Sequence, residues 1–292
     1  MYELIQVGKS SYYMDCPAKV GVYTYGDGTA VTIDSGSDEE DGRRVLRLLE
    51  KLGVRLTAIL STHSNADHIG GNAFLQSRTG CRVYAHGAEA AVIRYTELGP
   101  AFVFGGYPFS ELRQKSLYAR PCDVLLTDDP TFPEGFEIIP LPGHFFDMVG
   151  YRSPDDVVYL ADCIFSRETL DKYGLPFIYD VARFFETLDR VEKLDASRFV
   201  PAHAPASDDV TELVRCNRQK IADAGERIFD ACAEPVTFED ILKQLFDSYD
   251  IPLNYTQYAL VGNTLRSFLA WLKDSGCITG EFCNNRLYWR QV

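Results

Sequence analysis

The chain has 292 residues, 46% of them apolar and 13% aromatic, enough for a sizeable core in one large domain or in a medium domain with a small companion. Its net charge of −13 opposes long-range attraction to phosphate backbones and anionic membranes, which favours a small-molecule partner. No stretch approaches the roughly 18 consecutive apolar residues of a membrane span, residues 1–5 lack the start of a signal peptide, and the eight cysteines include no Cys-x-x-Cys pair, so a cytoplasmic protein without a disulfide framework is expected.

The opening stretch reads as short strands at 4–7, 11–15, 20–25 and 30–34, with Gly26-Asp27-Gly28 as a turn between hairpin arms. Residues 39–52 place Val45, Leu46, Leu48, Leu49 and Leu52 at helical spacing, and Gly53 supplies a stop. An uncharged, β-branched run at 56–61 predicts a buried strand, followed by a strand at 81–85 and a helix at about 87–95. Residues 99–109, rich in Gly, Pro and aromatic side chains and ending in Tyr107-Pro108-Phe109, read as a long insertion of the kind that lines or covers a site. A second series predicts strands at 136–141, 148–151 and 157–160, a helix near 180–194 and a strand at 199–201. The chain thus passes twice through strands and then helices. Residues 208–233 read as a connecting helix. Beyond it, helices at 238–246 and 255–272 precede strands at 278–282 and 287–289 around a turn at Asn284-Asn285, a pattern that suggests a winged-helix-like module.

Chemistry concentrates in Thr62-His63-Ser64-Asn65-Ala66-Asp67-His68-Ile69-Gly70-Gly71, which holds two of the five histidines and a carboxylate within six residues. A divalent transition metal needs those ligand types converging from one turn, and the run is placed on a loop after the 56–61 strand. His144, Asp162 and His203 likewise follow predicted strands, so four of the five histidines and two carboxylates are released at sheet edges. His86 has no companion carboxylate, begins a helix and reads as an ordinary polar residue.

With those residues in place, His63-x-Asn65-x-Asp67-His68 followed by His144, Asp162 and His203 resembles the metallo-β-lactamase superfamily of metal-dependent hydrolases, whose usual motif is His-x-His-x-Asp-His. Asp34-Ser35-Gly36 at the end of an early strand adds to the likeness, which covers residues 1–208. The resemblance implies an α/β (α+β) fold, an αββα sandwich of two mixed sheets. It divides the chain into a catalytic domain at 1–208, a connecting helix at 209–234 and a small winged-helix-like C-terminal module at 235–292. It also implies one metal site from His63, His144 and residue 65, a second from Asp67, His68 and His203, and Asp162 bridging the two. Zinc is the expected metal, one or two ions, with iron or manganese as alternatives, and Asp67 takes a catalytic role beside its ligand role. The implied activity is attack by metal-bound hydroxide on a small ester, thioester, lactone or amide.

The departure from the motif is Asn65, a neutral amide where the family places imidazole, which leaves a weak ligand and a weaker first site. A dinuclear centre with a water-completed first site, a mononuclear centre at Asp67, His68 and His203, and a site preferring iron or manganese all stay open. Asp34 either orients a ligand histidine or caps a turn, and Tyr107, Phe145 and Phe146 are candidates for a substrate wall. Two alternatives stand beside the hydrolase: a nuclease of single-stranded RNA and a non-hydrolytic iron-binding redox or regulatory protein. Residues 235–292 carry five Lys/Arg against six Asp/Glu, which argues against nucleic acid, and that module offers a surface for homo-oligomerisation instead.

Overall fold

The structure, a computed structural model, describes residues 2–292. Its first half is a sheet wrapped on one side by helices. Strands β1 (Leu4–Gln6), β2 (Ser11–Met14), β3 (Val20–Thr24) and β4 (Thr29–Ile33) form an antiparallel meander. Helix α1 (Glu39–Leu52) then returns the chain to the same sheet edge. Asp38 caps its first turn by accepting from the Glu40 and Asp41 amides, and Gly53 at φ 70° ends it. β5 (Arg55–Leu60) pairs parallel with β4. After it come α2 (Ala66–Ile69), α3 (Asn72–Thr79), β6 (Arg82–Ala85), α4 (Gly87–Arg94), α5 (Leu98–Phe104) and β7 (Leu125–Leu126), which completes seven strands in sequential order.

The second sheet has four strands: β8 (Glu137–Pro140), β9 (Val149–Arg152), β10 (Val157–Phe165) and, after α6 (Arg167–Tyr173) and α7 (Val181–Val191), β11 (Arg198–His203). Their spatial order is β11-β10-β9-β8, with β10 and β11 parallel and the other pairs antiparallel. Between the sheets lies an apolar layer drawn from both, including Ile33, Leu60 and Tyr84 on one side and Val149, Tyr151 and Val200 on the other. The outer face of the first sheet packs on α1, α3 and α4 through Val45, Leu49, Leu75 and Ile93. The result is an αββα sandwich, as the resemblance implies.

The remainder is α8 (Thr211–Ala231), β12 (Val236–Thr237), α9 (Phe238–Tyr249), α10 (Tyr255–Asp274), β13 (Ile278–Cys283) and β14 (Arg286–Gln291). Asn284 and Asn285, both at positive φ, make the tight turn between β13 and β14. These elements share one apolar cluster with the outer face of the second sheet, where Phe184 and Leu188 of α7 meet Ile221, Leu242, Leu265 and Phe268. α10 also reaches the first half: Ala259 packs with Val103 of α5, and the Asn263 amide donates to the Phe102 carbonyl at 3.2 Å. Residues 235–292 are thereby fixed as a wall beside the strand ends. Among the described residues no helix is long and apolar enough to cross a membrane.

Three local expectations need correction. Residues 99–109, read as a long insertion, are helical in their first half, which belongs to α5. Pro100 lies in its first turn, where a missing amide hydrogen costs no helical bond. Asp67 and His68 sit on the single turn α2, not on a loop. Asp162 lies inside β10 and not at its end, because the strand continues to Phe165 past an irregularity at Ala161, whose φ is 50°.

Candidate metal centre

Strand ends and two tight passages aim the polar side chains at one point. Asp34 follows β4 at φ 63°, and Ser35 donates its amide to the His68 carbonyl at 2.8 Å, which clips α2 to that loop. Gly70 permits the approach: a Cβ there would lie 2.2 Å from the Ser37 carbonyl atoms. Gly143, at φ 124° and against the Phe184 backbone, turns the chain so that His144 faces inward.

Each of the four histidines has its Nδ1 engaged. His68 Nδ1 donates to Asp34 Oδ2 at 2.8 Å, His144 Nδ1 to the Phe177 carbonyl at 2.8 Å, and His203 Nδ1 to the Pro17 carbonyl at 2.7 Å. His63 Nδ1 meets Thr62 Oγ1 at 3.0 Å, and that hydroxyl donates to Asp34 Oδ2 at 2.8 Å. Asp34 therefore governs two rings at once, and it also accepts from the Thr62 amide. With Nδ1 occupied, all four rings present Nε2 to the same cavity, the arrangement that fixes tautomer and orientation in metal sites.

Two sets of ligand atoms converge there: His63, His144 and Asp162, and Asp67, His68 and His203. Asp162 lies between them. Its carboxylate is 3.1 Å from His68 Nε2, 3.3 Å from His203 Nε2, 3.6 Å from His144 Nε2 and 4.0 Å from His63 Nε2. Asp67 is 3.6 Å from His203 Nε2 and 3.8 Å from His68 Nε2. Ligands about 2.1 Å from a tetrahedral metal stand roughly 3.4 Å apart, so these spacings suit cations. His63 Nε2, His68 Nε2 and Asp162 Oδ1 are buried and make no hydrogen bond of acceptable geometry. Buried polar atoms left so are uncommon, and three aimed at one point fit a metal.

The electrostatics agree. Burial pulls the His63 and His144 imidazoles below their usual range, and the charge of His68 adds to the effect. Burial acts the same way on His68 and His203 but is outweighed there by Asp162 and Asp67, joined at His68 by Asp34. His68 is held well above its usual range and His203 is raised to about 10. Against the cost of burial, those two histidines keep the Asp67 and Asp162 carboxyls low and ionised. A cluster that holds protons on two histidines to balance buried carboxylates can exchange them for a divalent ion.

Asn65 occupies the corner where the family motif has imidazole. Its Nδ2 donates to His144 Nε2 at 2.9 Å, so the amide engages the very nitrogen that the first set would offer to a metal. The second set has no such competitor.

Phe145 is buried beside the cluster and lines the cleft. Tyr107 does not: it is 81% exposed, and its hydroxyl accepts from Arg113 at 2.8 Å. Phe146 packs on Phe102 and Tyr179, outside the residues that line the cleft. His86 pairs with Thr127 at 2.8 Å, and Cys163 is buried in the core of the second layer. A residue that the sequence did not single out is Glu89 on α4. It is fully buried, with Oε2 accepting from the Ser64 amide at 2.9 Å and from the Ser64 hydroxyl, and Oε1 accepting from the Asp147 amide at 2.9 Å. It ties together the loops that carry His63 and His144. Burial pushes its carboxyl up to about 7, with the Ser64 and Asp147 donors pulling the other way.

The cleft has two lobes of about 510 and 490 Å³ that share Asp67, His144, Tyr173, Phe177, Gln257 and Leu260. Lobe one continues past His203 beneath α6 and α10, and lobe two past Asn65 and Asp162 toward α5 and Lys115. α10 thus contributes directly to the cleft, and cavities of this size suit small-molecule ligands.

Comparison with known proteins adds the following. Residues 14–203 match the family model of the metallo-beta-lactamase superfamily. The chain is 33% identical over 142 residues to the hydroxyacylglutathione hydrolase of Rhodopseudomonas palustris (strain BisB18), covering 46% of this chain and 45% of that one. It is 29% identical over 179 residues to the hydroxyacylglutathione hydrolase of Albidiferax ferrireducens, covering 60% and 57%. The chain spans about half the length of the curated relatives it matches. Among solved structures, a beta-lactamase domain protein from Burkholderia ambifaria superposes with a TM-score of 0.73 at 15% identity, over 99% of this chain and 94% of that one. A metallo-beta-lactamase family protein from Thermus thermophilus gives 0.72 at 18% identity, over 97% and 99%. At that identity the likeness is one of fold, and it extends into residues 235–292.

Proposed function

The chain belongs to the metallo-beta-lactamase superfamily, and from that premise we propose that it is a metal-dependent hydrolase of a small thioester or ester. The observation that carries the reading is the convergence of four oriented imidazoles and two ionised carboxylates, three of their atoms buried without a hydrogen bond, at the floor of a small-molecule cleft. The names of the curated relatives support a thioester in particular.

In this reading Asp67, His68 and His203 would hold the stronger ion, His63 and His144 a weaker one that Asn65 disfavours, and Asp162 would be within reach of both. The donor set suits zinc first, with iron or manganese as alternatives. A bound ion of this kind supplies an acidified water and polarises the substrate carbonyl. Asp67, whose side chain is 40% exposed and lines both lobes, would accept a hydrogen bond from the attacking water and orient it. Asp34 keeps His68 and His63 in the tautomer that presents Nε2. Phe145, Phe177 and Leu260 keep bulk water from the carbonyl. The free thiols suit a reducing compartment, and we place the protein in the cytoplasm.

The test is turnover of a panel of acyl-glutathione thioesters, simple alkyl thioesters, aryl esters and lactones by protein loaded with zinc, manganese or iron(II). Hydrolysis that a chelator abolishes and added metal restores is expected. No turnover of any member by metal-replete protein would overturn the reading.

A further inference from the structure

We propose that Lys19 is a positioning residue for the metal centre: its ammonium straps the carbonyls on either side of His203 to the β2–β3 loop and so holds that imidazole where the second ligand set needs it. The inference rests on the metal-dependent reading of the cluster. It begins with residues 15–19, the loop of a hairpin whose arms close at the Met14–Val20 pair. This loop lies against the end of β11, 183 residues further along the chain. There the Pro17 carbonyl accepts from His203 Nδ1, and Lys19 completes the strap with both of its donors. Its amide donates to the Ala202 carbonyl at 3.3 Å, and its ammonium donates to the Ala204 carbonyl at 2.8 Å with a longer contact of 3.5 Å to Ala202. Ala204 is 3% exposed, and among the described residues its carbonyl accepts from no other group, so the ammonium is what satisfies it.

His203 is held from the other side as well. Phe165 stacks on its ring with centroids 5.9 Å apart and planes 17° apart, and its carbonyl accepts from the Ser166 amide at 3.1 Å and the Thr169 hydroxyl at 3.2 Å. Those contacts tie the residue to β10 and α6, whereas Pro17 and Lys19 tie it to the first sheet. Lys19 also borders the small space behind the cluster together with Asp34 and Thr62. The group that straps His203 and the groups that orient His68 and His63 are therefore neighbours in one layer beneath the ligands. Lys19 is half-buried, and among the described residues no carboxylate accepts a hydrogen bond from it. Burial pulls its ammonium below the usual range, with Asp15 and Cys16 pulling the other way. A cation desolvated without a carboxylate partner is costly, and what this one secures is the backbone on both sides of a ligand.

The experiment is a stepwise cobalt(II) titration of wild type, Lys19→Met and Lys19→Arg, followed by competition with a chromophoric chelator and by the visible spectrum of the bound ion. Lys19→Met keeps the apolar stem and removes the donors, so it should weaken the tight step about 10–100-fold, leave the weak step unmoved and alter the cobalt spectrum of the tight site. Lys19→Arg still donates and should recover most of the loss. A residue that serves fold stability alone would lower the urea midpoint of the metal-free variants and leave the tight step and its spectrum as in wild type; that result overturns the proposal. If Lys19→Met does not fold, Lys19→Gln, polar but too short to hold both carbonyls, carries the same expectation. Failure of the hydrolase reading looks different. Wild type that takes up cobalt but cleaves no ester or thioester overturns that reading alone, and the Lys19 comparison still decides the strap. Unchanged tight binding in the Lys19 variants overturns the strap alone, and wild type that takes up no cobalt overturns both.

Discussion

Glu89→Ala is the perturbation whose consequences the structure specifies most fully. The wild-type carboxylate accepts three hydrogen bonds in a fully buried position, two of them from the backbone amides of Ser64 and Asp147. Alanine leaves both amides without a partner, and the Ser64 hydroxyl can turn elsewhere. At about 1–3 kcal/mol for each orphaned buried donor, the loss of stability should be about 2–6 kcal/mol. Because Ser64 follows His63 directly and Asp147 lies three residues after His144, metal affinity should also fall, by the roughly 10–100-fold typical of lost supporting contacts. Urea unfolding with and without metal, together with a competitive metal titration, measures both. Stability within about 0.5 kcal/mol of wild type and unchanged affinity would refute the role assigned to Glu89.

The same residue has a pH signature. Its folded pKa, about 7, stands above the unfolded value of 4.5, so the folded protein holds the extra proton between those limits. Stability from this group is then greatest below pH 4.5 and is lost as pH rises through 7, by about 3 kcal/mol. Glu89→Gln cannot titrate, so its stability relative to wild type should climb by that amount over the window. Parallel pH curves for the two proteins would contradict this.

Other outcomes are as definite. Asp34→Asn keeps a residue type that tolerates the positive φ at this position but removes the charge that orients His68, so metal affinity should fall about 10–100-fold with little change in fold, as read by titration and circular dichroism. Tyr107→Ala should leave turnover unchanged and stability within about 0.5 kcal/mol, since the side chain stands in solvent away from the cleft. His68 and His203 carry raised pKa values, so chelator-treated protein holds protons on both at neutral pH. Metal uptake at the second set should release about two protons per ion and weaken as pH falls, measurable by calorimetry in buffers of different ionisation enthalpy.

The site was legible in the sequence where its logic is local. His63, Asn65, Asp67 and His68 lie within one turn after a strand, and His144 and His203 each follow an apolar run, so a reader of residues can assemble the cluster. Features set by distant packing were not legible. Glu89 looks like any acid on a helix, and its partner Asp147 lies 58 residues away. Asp162 was expected at a strand end because an aspartate interrupts the apolar pattern. The strand runs on because an irregularity at Ala161 lets the carboxylate face the cleft without ending the pairing. Tyr107 differs for the opposite reason: a Gly/Pro/aromatic segment reads as a cover for the site, whereas its first half is helical and its tyrosine is exposed to solvent. That Asn65 donates to the cluster-facing nitrogen of His144 could not be read from spacing at all.

The role of the Asn65–His144 contact is tested by metal content and stepwise affinity of purified wild type beside Asn65→His. The wild type should bind about one ion tightly and a second weakly, and the variant, with a third imidazole in the first set, should bind about two tightly. Two equally tight ions in wild type, or no gain in the variant, would contradict the claim that residue 65 divides this centre into a strong and a weak site.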